Sequence, residues 1–201
     1  SIQKINPNII LVKQNNENNL FQVCKEFSNC HKQNFSDEQI VELLKGRLII
    51  NGIKYQYLGK NTDINDLINN FNYKHINFQN SKFYFNKNIT YNFDEANNEF
   101  NIYQSEPESR AFFTKGNLKD ININFYGDKN ETVMEDKLKN YPIDINGLTA
   151  CLSFVDLNFD NIKIRSNNST CEDSINFIRT SGTVKEINIK DSLSDGLDID
   201  F

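Results

Sequence analysis

The stretch Ser194-Asp195-Gly196-Leu197-Asp198-Ile199-Asp200-Phe201 carries the densest set of side chains able to do chemistry. Leu197, Ile199 and Phe201 alternate with Asp198 and Asp200. In a strand this alternation turns the apolar residues to a core and both carboxylates to the other face, about 7 Å apart. A second acidic pair, Glu172-Asp173, precedes a similar strand that contains Ile175, Asn176 and Phe177. Aligning the two strands sets Asp195 against Asp173 and Asp198 against Asn176, with Ser153 at the equivalent position one strand earlier. Grouped carboxylates suit two chemistries. One carboxyl can protonate a glycosidic oxygen while another activates water. Alternatively, several oxygens can hold a hard cation, and Ca2+ is the ion such a cluster would take. The candidate catalytic residues are therefore Asp173, Asp195, Asp198 and Asp200, with Asn176 on the substrate side. Arg165 and Arg179 fall near outward positions and could grip an acidic sugar. The same Asp and Asn residues also suit corners, where they bond the main chain and form ladders without any catalysis. No P-loop, Gly-rich dinucleotide turn or nucleophile with a histidine base is visible, so no organic cofactor is implied.

These residues need strands to hold them, and the apolar pattern supplies the strands. Leu152 and Phe154 alternate, and Phe159, Ile162 and Ile164 follow. Ile175 and Phe177 alternate, and Val184, Ile187 and Ile189 follow. Leu197 and Ile199 open a third copy, while Ala111, Phe113, Leu118, Ile121 and Ile123 form an earlier one, 41 residues before its equivalent. Offsets of 22 to 25 residues match one turn of a parallel β-solenoid. The offset of 41 is one such turn plus an insertion, assigned to the polar segment 126–141. Parity is kept throughout, as strands stacked in register require.

At "GNLKDININF", "LNFDNIKIRSNN" and "SGTVKEINIKDSLSDGLDIDF" the chain resembles the right-handed parallel β-helix proteins of pectin-lyase-like architecture. The resemblance covers about residues 110–201. "SDGLDI" is similar to the Asp-Gly-Ile element of polygalacturonase-type hydrolases, and "CEDSINF" to their paired-aspartate element. The pair here is Glu172-Asp173, it precedes Asp195 rather than following it, and neither a Gly-His-Gly nor an Arg-Ile-Lys element is present. The resemblance implies a polysaccharide partner and a glycoside hydrolase or lyase-like activity. The alternative is a non-catalytic structural or adhesive module.

The expected fold is thus all-β: a right-handed parallel β-helix over 73–201, with a small α/β cap over 1–72. In the cap, Ile9 to Val12 reads as a strand. Leu20, Val23 and Phe27 fall at helical spacing, which predicts a helix there. Ser36 with Gln39 forms a capping box opening a second helix over 36–45. Asn51-Gly52 between apolar runs predicts a hairpin over 48–57. Asp63 to Phe71 reads as a third helix. From Tyr73 to Ile102 the period is two, fitting either irregular first coils or antiparallel strands that cover the coil's end.

Of 201 residues, about one in six is Asn, a residue that tolerates left-handed corners. The net charge of −5 argues against a nucleic-acid partner, which needs surplus Lys and Arg on one face. No apolar run is long enough for a transmembrane helix. Cys24 and Cys30, and Cys151 and Cys171, lie close enough for two local disulfides, which suit an extracellular, periplasmic or cell-surface protein; the alternative is four buried thiols in a cytosolic one. A last strand with no successor implies that further sequence or a protein partner covers its edge.

Overall fold

A computed structural model of the chain describes residues 9–14, 20–26, 29–45, 47–57, 73–107, 109–128, 144 and 148–200. The helix expected over 63–71 and most of the 126–141 insertion lie outside these residues. The described chain is mostly β and forms two compact units.

The first unit spans residues 1–69 with 143–147. Its strands are β1 (Ile9–Gln14), β2 (Leu20–Glu26), β3 (Asn29–Asn34), β4 (Ile49–Ile50) and β5 (Ile53–Tyr57), ordered β3-β2-β1-β5-β4. Helix α1 (Asp37–Leu44) starts at the Ser36 cap, where the Ser36 hydroxyl accepts from the Gln39 amide and the Gln39 side chain accepts from Ser36 N–H. The hairpin joining β4 to β5 turns through Asn51 (φ 52°) and Gly52 (φ 75°), the positive angles of a type I′ turn. The helix expected over 20–27 is instead strand β2. Helical spacing of Leu20, Val23 and Phe27 competes with the period-two pair Phe21 and Val23, both buried. Hydrogen-bonded neighbours on both sides decide it, since β1 and β3 each pair with β2. Cys24 lies directly opposite Cys30 in that pairing, and the two form a disulfide.

The second unit spans 70–142 with 148–201. It contains β6 (Lys74–Phe78), β7 (Ser81–Phe85), β8 (Ile89–Asp94), β9 (Glu99–Gln104), β10 (Ala111–Lys119) and β11 (Asn122–Tyr126). It continues with β12 (Ala150–Asn167), β13 (Asp173–Ile178), β14 (Ser181–Lys190) and β15 (Asp195–Asp200). Together they make one large open sheet in which β12, 18 residues long, is the organiser. β12 pairs in parallel with β10, β11, β13 and β14, and β13 pairs in parallel with β15. The register joins Ala111 to Leu152, Leu152 to Ile175 and Ile175 to Leu197. Antiparallel hairpins β6–β7 and β8–β9 flank these strands, and β7 runs antiparallel to β10.

The same register fixes a phenylalanine column through the core. Phe83, Phe113, Phe154 and Phe177 sit on neighbouring strands, with successive ring centroids 4.6, 5.7 and 5.4 Å apart. The Cys151–Cys171 disulfide is buried in this core. The chain bends at matched positions. Lys115, Asp156 and Arg179 all take positive φ, as do Asp120 and Asn161, and Asn168 and Asp191. Asn and Asp adopt that conformation more easily than other non-glycine residues. At Gly182 (φ 100°) any Cβ would stand 2.0 Å from the Phe159 carbonyl oxygen, so no larger residue fits.

On β9, β11, the end of β12 and β14, core residues alternate with a set that faces the other way. The register lines that set up in rows. One row is Asn101, Asn124, Arg165 and Asn188; the next is Tyr103, Tyr126, Asn167 and Lys190. β8 adds Asn92 to the first row and Thr90 to the second. Among the described residues, β14 and β15 are each paired along one side only, and Leu197 (37%) and Ile199 (47%) are correspondingly exposed.

Candidate functional site

The start of β13 and its neighbour β15 bring four carboxylates to one corner of the second unit. Asp173 pairs directly with Asp195, and Asn176 pairs with Asp198. Glu172 precedes Asp173, and its carbonyl accepts from the Asp195 amide at 3.1 Å. On the other side of β13, Asn176 pairs with Ser153. A row Ser153–Asn176–Asp198 therefore crosses three strands beside the Asp173–Asp195 pair.

This corner is more enclosed than an outward strand face should be. Asp173 is 5% exposed and Asn176 2%, whereas Asp195 is open to solvent. Burial is the main reason that the Asp173 carboxyl is pushed above the ordinary aspartate range. The negative charges of Asp198 and Asp195 push it further in the same direction, while a hydrogen bond with Thr149 and the charge of Arg110 oppose them. Glu172 is also raised, first by burial and then by Asp173.

The Asn176 amide Nδ2 donates to Asp198 Oδ2 at 3.3 Å and to Thr149 Oγ1 at 3.5 Å. Asn176 Oδ1 and Ser153 Oγ are buried with no hydrogen-bond partner among the described residues. Such atoms each cost about 1–3 kcal/mol unless a further group satisfies them.

A polar network supports the corner from beneath. Thr170 Oγ1 donates to Gln104 Oε1 at 2.8 Å, and Gln104 Nε2 donates to the Ser109 carbonyl at 2.8 Å. Arg110, almost fully buried, follows Ser109, and its charge acts on both Glu172 and Asp173. The sequence reading did not single out Arg110 or Thr149. The 41-residue offset was the available signal for Arg110, since it aligns Arg110 with Cys151, the disulfide partner of Cys171.

The remaining candidates lie elsewhere. Asp200 pairs with Ile178, two residues beyond Asp198, so it borders the corner without joining the Asp173 pair. Arg179 is held at a bend by Asp156, with Nε donating at 2.7 Å and Nη2 at 2.9 Å. Arg165 lies on the later part of β12, 3.9 Å from Glu186. Among the described residues, no three His, Cys, Asp or Glu side chains are gathered as a metal-holding group. Also among those residues, no helix is long and apolar enough to cross a membrane. The chain matches no protein-family model, no curated protein and no solved structure.

Proposed function

We propose that this chain is an exported or surface-displayed β-helix that engages polysaccharide and acts on it at the Asp173 corner. One arrangement carries the reading: a buried Asp173 carboxyl, its pKa raised first by burial, directly paired with an exposed Asp195 and beside Asp198. Acid-catalysed cleavage of a glycosidic bond needs that division of labour. Asp173 is the general acid that protonates the leaving oxygen. Asp195 or Asp198 is the partner that activates water, and Asn176 orients Asp198.

The right-handed pectin-lyase-like coil belongs to the same proposal. Its support is the parallel, in-register pairing of β10, β12, β13 and β15, together with left-handed corners at matched positions. Export is supported by the two disulfides, which persist in oxidising compartments. A second reading, a non-catalytic structural or adhesive module, is favoured by the Asn176–Asp198 hydrogen bond, a ladder contact between adjacent strands.

A panel of polysaccharides offered to wild type, Asp173→Asn and Asp198→Asn separates the two readings. The enzyme reading expects release of reducing ends by wild type and a loss of about 100-fold or more in each variant, the usual weight of a general acid or base. Equal turnover by wild type and both variants would remove the catalytic assignment. Binding without turnover by all three would leave the module.

A further inference from the structure

The edges of the second unit differ in how well they are guarded. Among the described residues, β6, β8, β14 and β15 are each paired along one side only. An unpaired edge offers its backbone groups to any other strand, and charged side chains are a common defence against that. β6 carries Lys74, β14 carries Lys185, Glu186 and Lys190, and β15 carries Asp195, Asp198 and Asp200. β8 reads Ile89-Thr90-Tyr91-Asn92-Phe93-Asp94, with no charge before its last residue. We propose that β8 is a self-pairing edge, through which two copies of this chain join antiparallel about a twofold axis at Tyr91. The inference goes beyond the polysaccharide reading and does not depend on it.

The backbone is the first argument. The Asn88 carbonyl accepts from the Ser105 amide at 3.0 Å, and the register pairs Thr90 with Tyr103 and Asn92 with Asn101. Antiparallel bonding alternates along a strand, so Thr90 and Asn92 bond to β9 while Tyr91 and Phe93 turn N–H and C=O to the open side. The Ile89 N–H is taken by the Asn86 carbonyl at 3.2 Å, which leaves the Ile89 carbonyl facing outward. A twofold at Tyr91 then closes two bonds between the Tyr91 residues and one from each Phe93 N–H to the other copy's Ile89 carbonyl. Ile, Thr, Tyr and Phe are also the residues that best suit a pleated, half-buried surface.

Side chains choose a second copy over an unrelated strand. Under that twofold, Phe93 meets Ile89 of the second copy, Thr90 meets its Asn92, and Asp94 meets its Asn88. Lys87 and Glu95, both exposed, flank the strand and come level with each other across the axis. Apolar faces apolar, hydroxyl faces amide, and opposite charges close both ends, so no like charges oppose one another. Moving the axis one residue on, to Asn92, would carry Lys87 away from Glu95. Phe93 is 39% exposed at the rim of an aromatic cluster, with Phe78 at 5.1 Å and Phe100 at 6.5 Å, and the second copy extends that cluster over it. A six-residue edge covers far less than the ~800 Å² per side of a tight complex, so the dimer is weak and forms with rising concentration.

The test is sedimentation velocity of the intact protein from about 5 to 500 µM, the range of a small, weak interface, with amide hydrogen exchange followed by NMR on the same samples. Wild type should pass from monomer to dimer. The Tyr91 and Phe93 amides should exchange more slowly as concentration rises, while Thr90 and Asn92, already bonded to β9, should not change. Thr90→Lys with Asn92→Lys sets lysine against lysine twice and should raise the dimer dissociation constant about tenfold or more. Thr90→Lys with Asn92→Glu sets lysine against glutamate and should keep it within about threefold of wild type or lower it. Both positions are exposed, so neither change disturbs the core. A wild type that stays monomeric throughout would overturn the proposal. A dimer indifferent to the paired lysines would move the interface off β8 and overturn it equally. Equal losses in both double variants would overturn the twofold at Tyr91. The exchange measurement needs no variant: concentration-dependent protection that spares Tyr91 and Phe93 would also overturn the edge.

Discussion

Two corners of the second unit use similar residues in opposite ways. At the bend containing Asp156 and Arg179, opposite charges meet in a bidentate pair, and at the next bend Asn161 donates to Asp120. At the corner containing Glu172, Asp173, Asp195 and Asp198, like charges meet and two buried polar atoms have no partner among the described residues. Both corners turn the chain between strands of the same sheet. The first shows that this fold can satisfy its corner residues. The repulsion at the second is therefore not a requirement of folding. Such electrostatics are what the proposed acid–base role of this corner would use.

The contrast can be broken most forcefully by activity. Asp198→Asn should lower polysaccharide turnover by about 100-fold or more, while Arg179→Gln leaves it unchanged; reducing-end assays read both. A comparable loss from Arg179→Gln would mean that the two corners are not functionally distinct. Stability provides the next effect. Replacing both Cys151 and Cys171 with Ser should cost about 3 kcal/mol in urea unfolding, given the 20-residue separation they close. It should also loosen the acidic corner next to Cys171, lowering turnover in the same sample. Arg179→Gln should cost no more than about 1 kcal/mol, because its pair with Asp156 is substantially exposed. The smallest effect is also the most diagnostic. Asp173→Asn should raise the melting temperature by a few degrees at neutral pH or above.

The pH dependence of that gain follows from linkage. A carboxyl raised in the folded state favours folding when protonated. Its contribution is fully present below the ordinary carboxylate range and is lost as pH rises through the raised value. Wild type should thus match Asp173→Asn in acid and fall behind it as Asp173 ionises. The asparagine can still accept from Thr149, so the gain reports removed charge rather than a lost hydrogen bond. A variant that is less stable at every pH would contradict this account of the corner.

Much of this arrangement was legible in the sequence because sheet pairing follows parity. The pairs Ala111–Leu152, Ile175–Leu197 and Asn176–Asp198 could be written down from apolar alternation alone. Asn51-Gly52 and Ser36 with Gln39 announced their turn and cap through local chemistry. The β2 segment was misread because seven residues containing Phe21, Val23 and Cys24 satisfy two periods at once, and only neighbouring strands choose between them. Burial at the corner was not legible either. Parity turned Asn176 away from the core, but nothing local said that this side would also be enclosed. Tyr103 and Tyr126 carry the parity of the face opposite the core. Arg110 stands just outside a strand, where alternation gives no direction.

The charge state of Asp173 tests the central claim most directly. Carbon-detected NMR titration of its carboxyl should find it above the ordinary aspartate range in wild type. It should move down toward that range in Asp198→Asn and stay unchanged in Arg179→Gln. An Asp173 that titrates as an ordinary aspartate, indifferent to Asp198, would contradict both the paired register and the chemistry built on it.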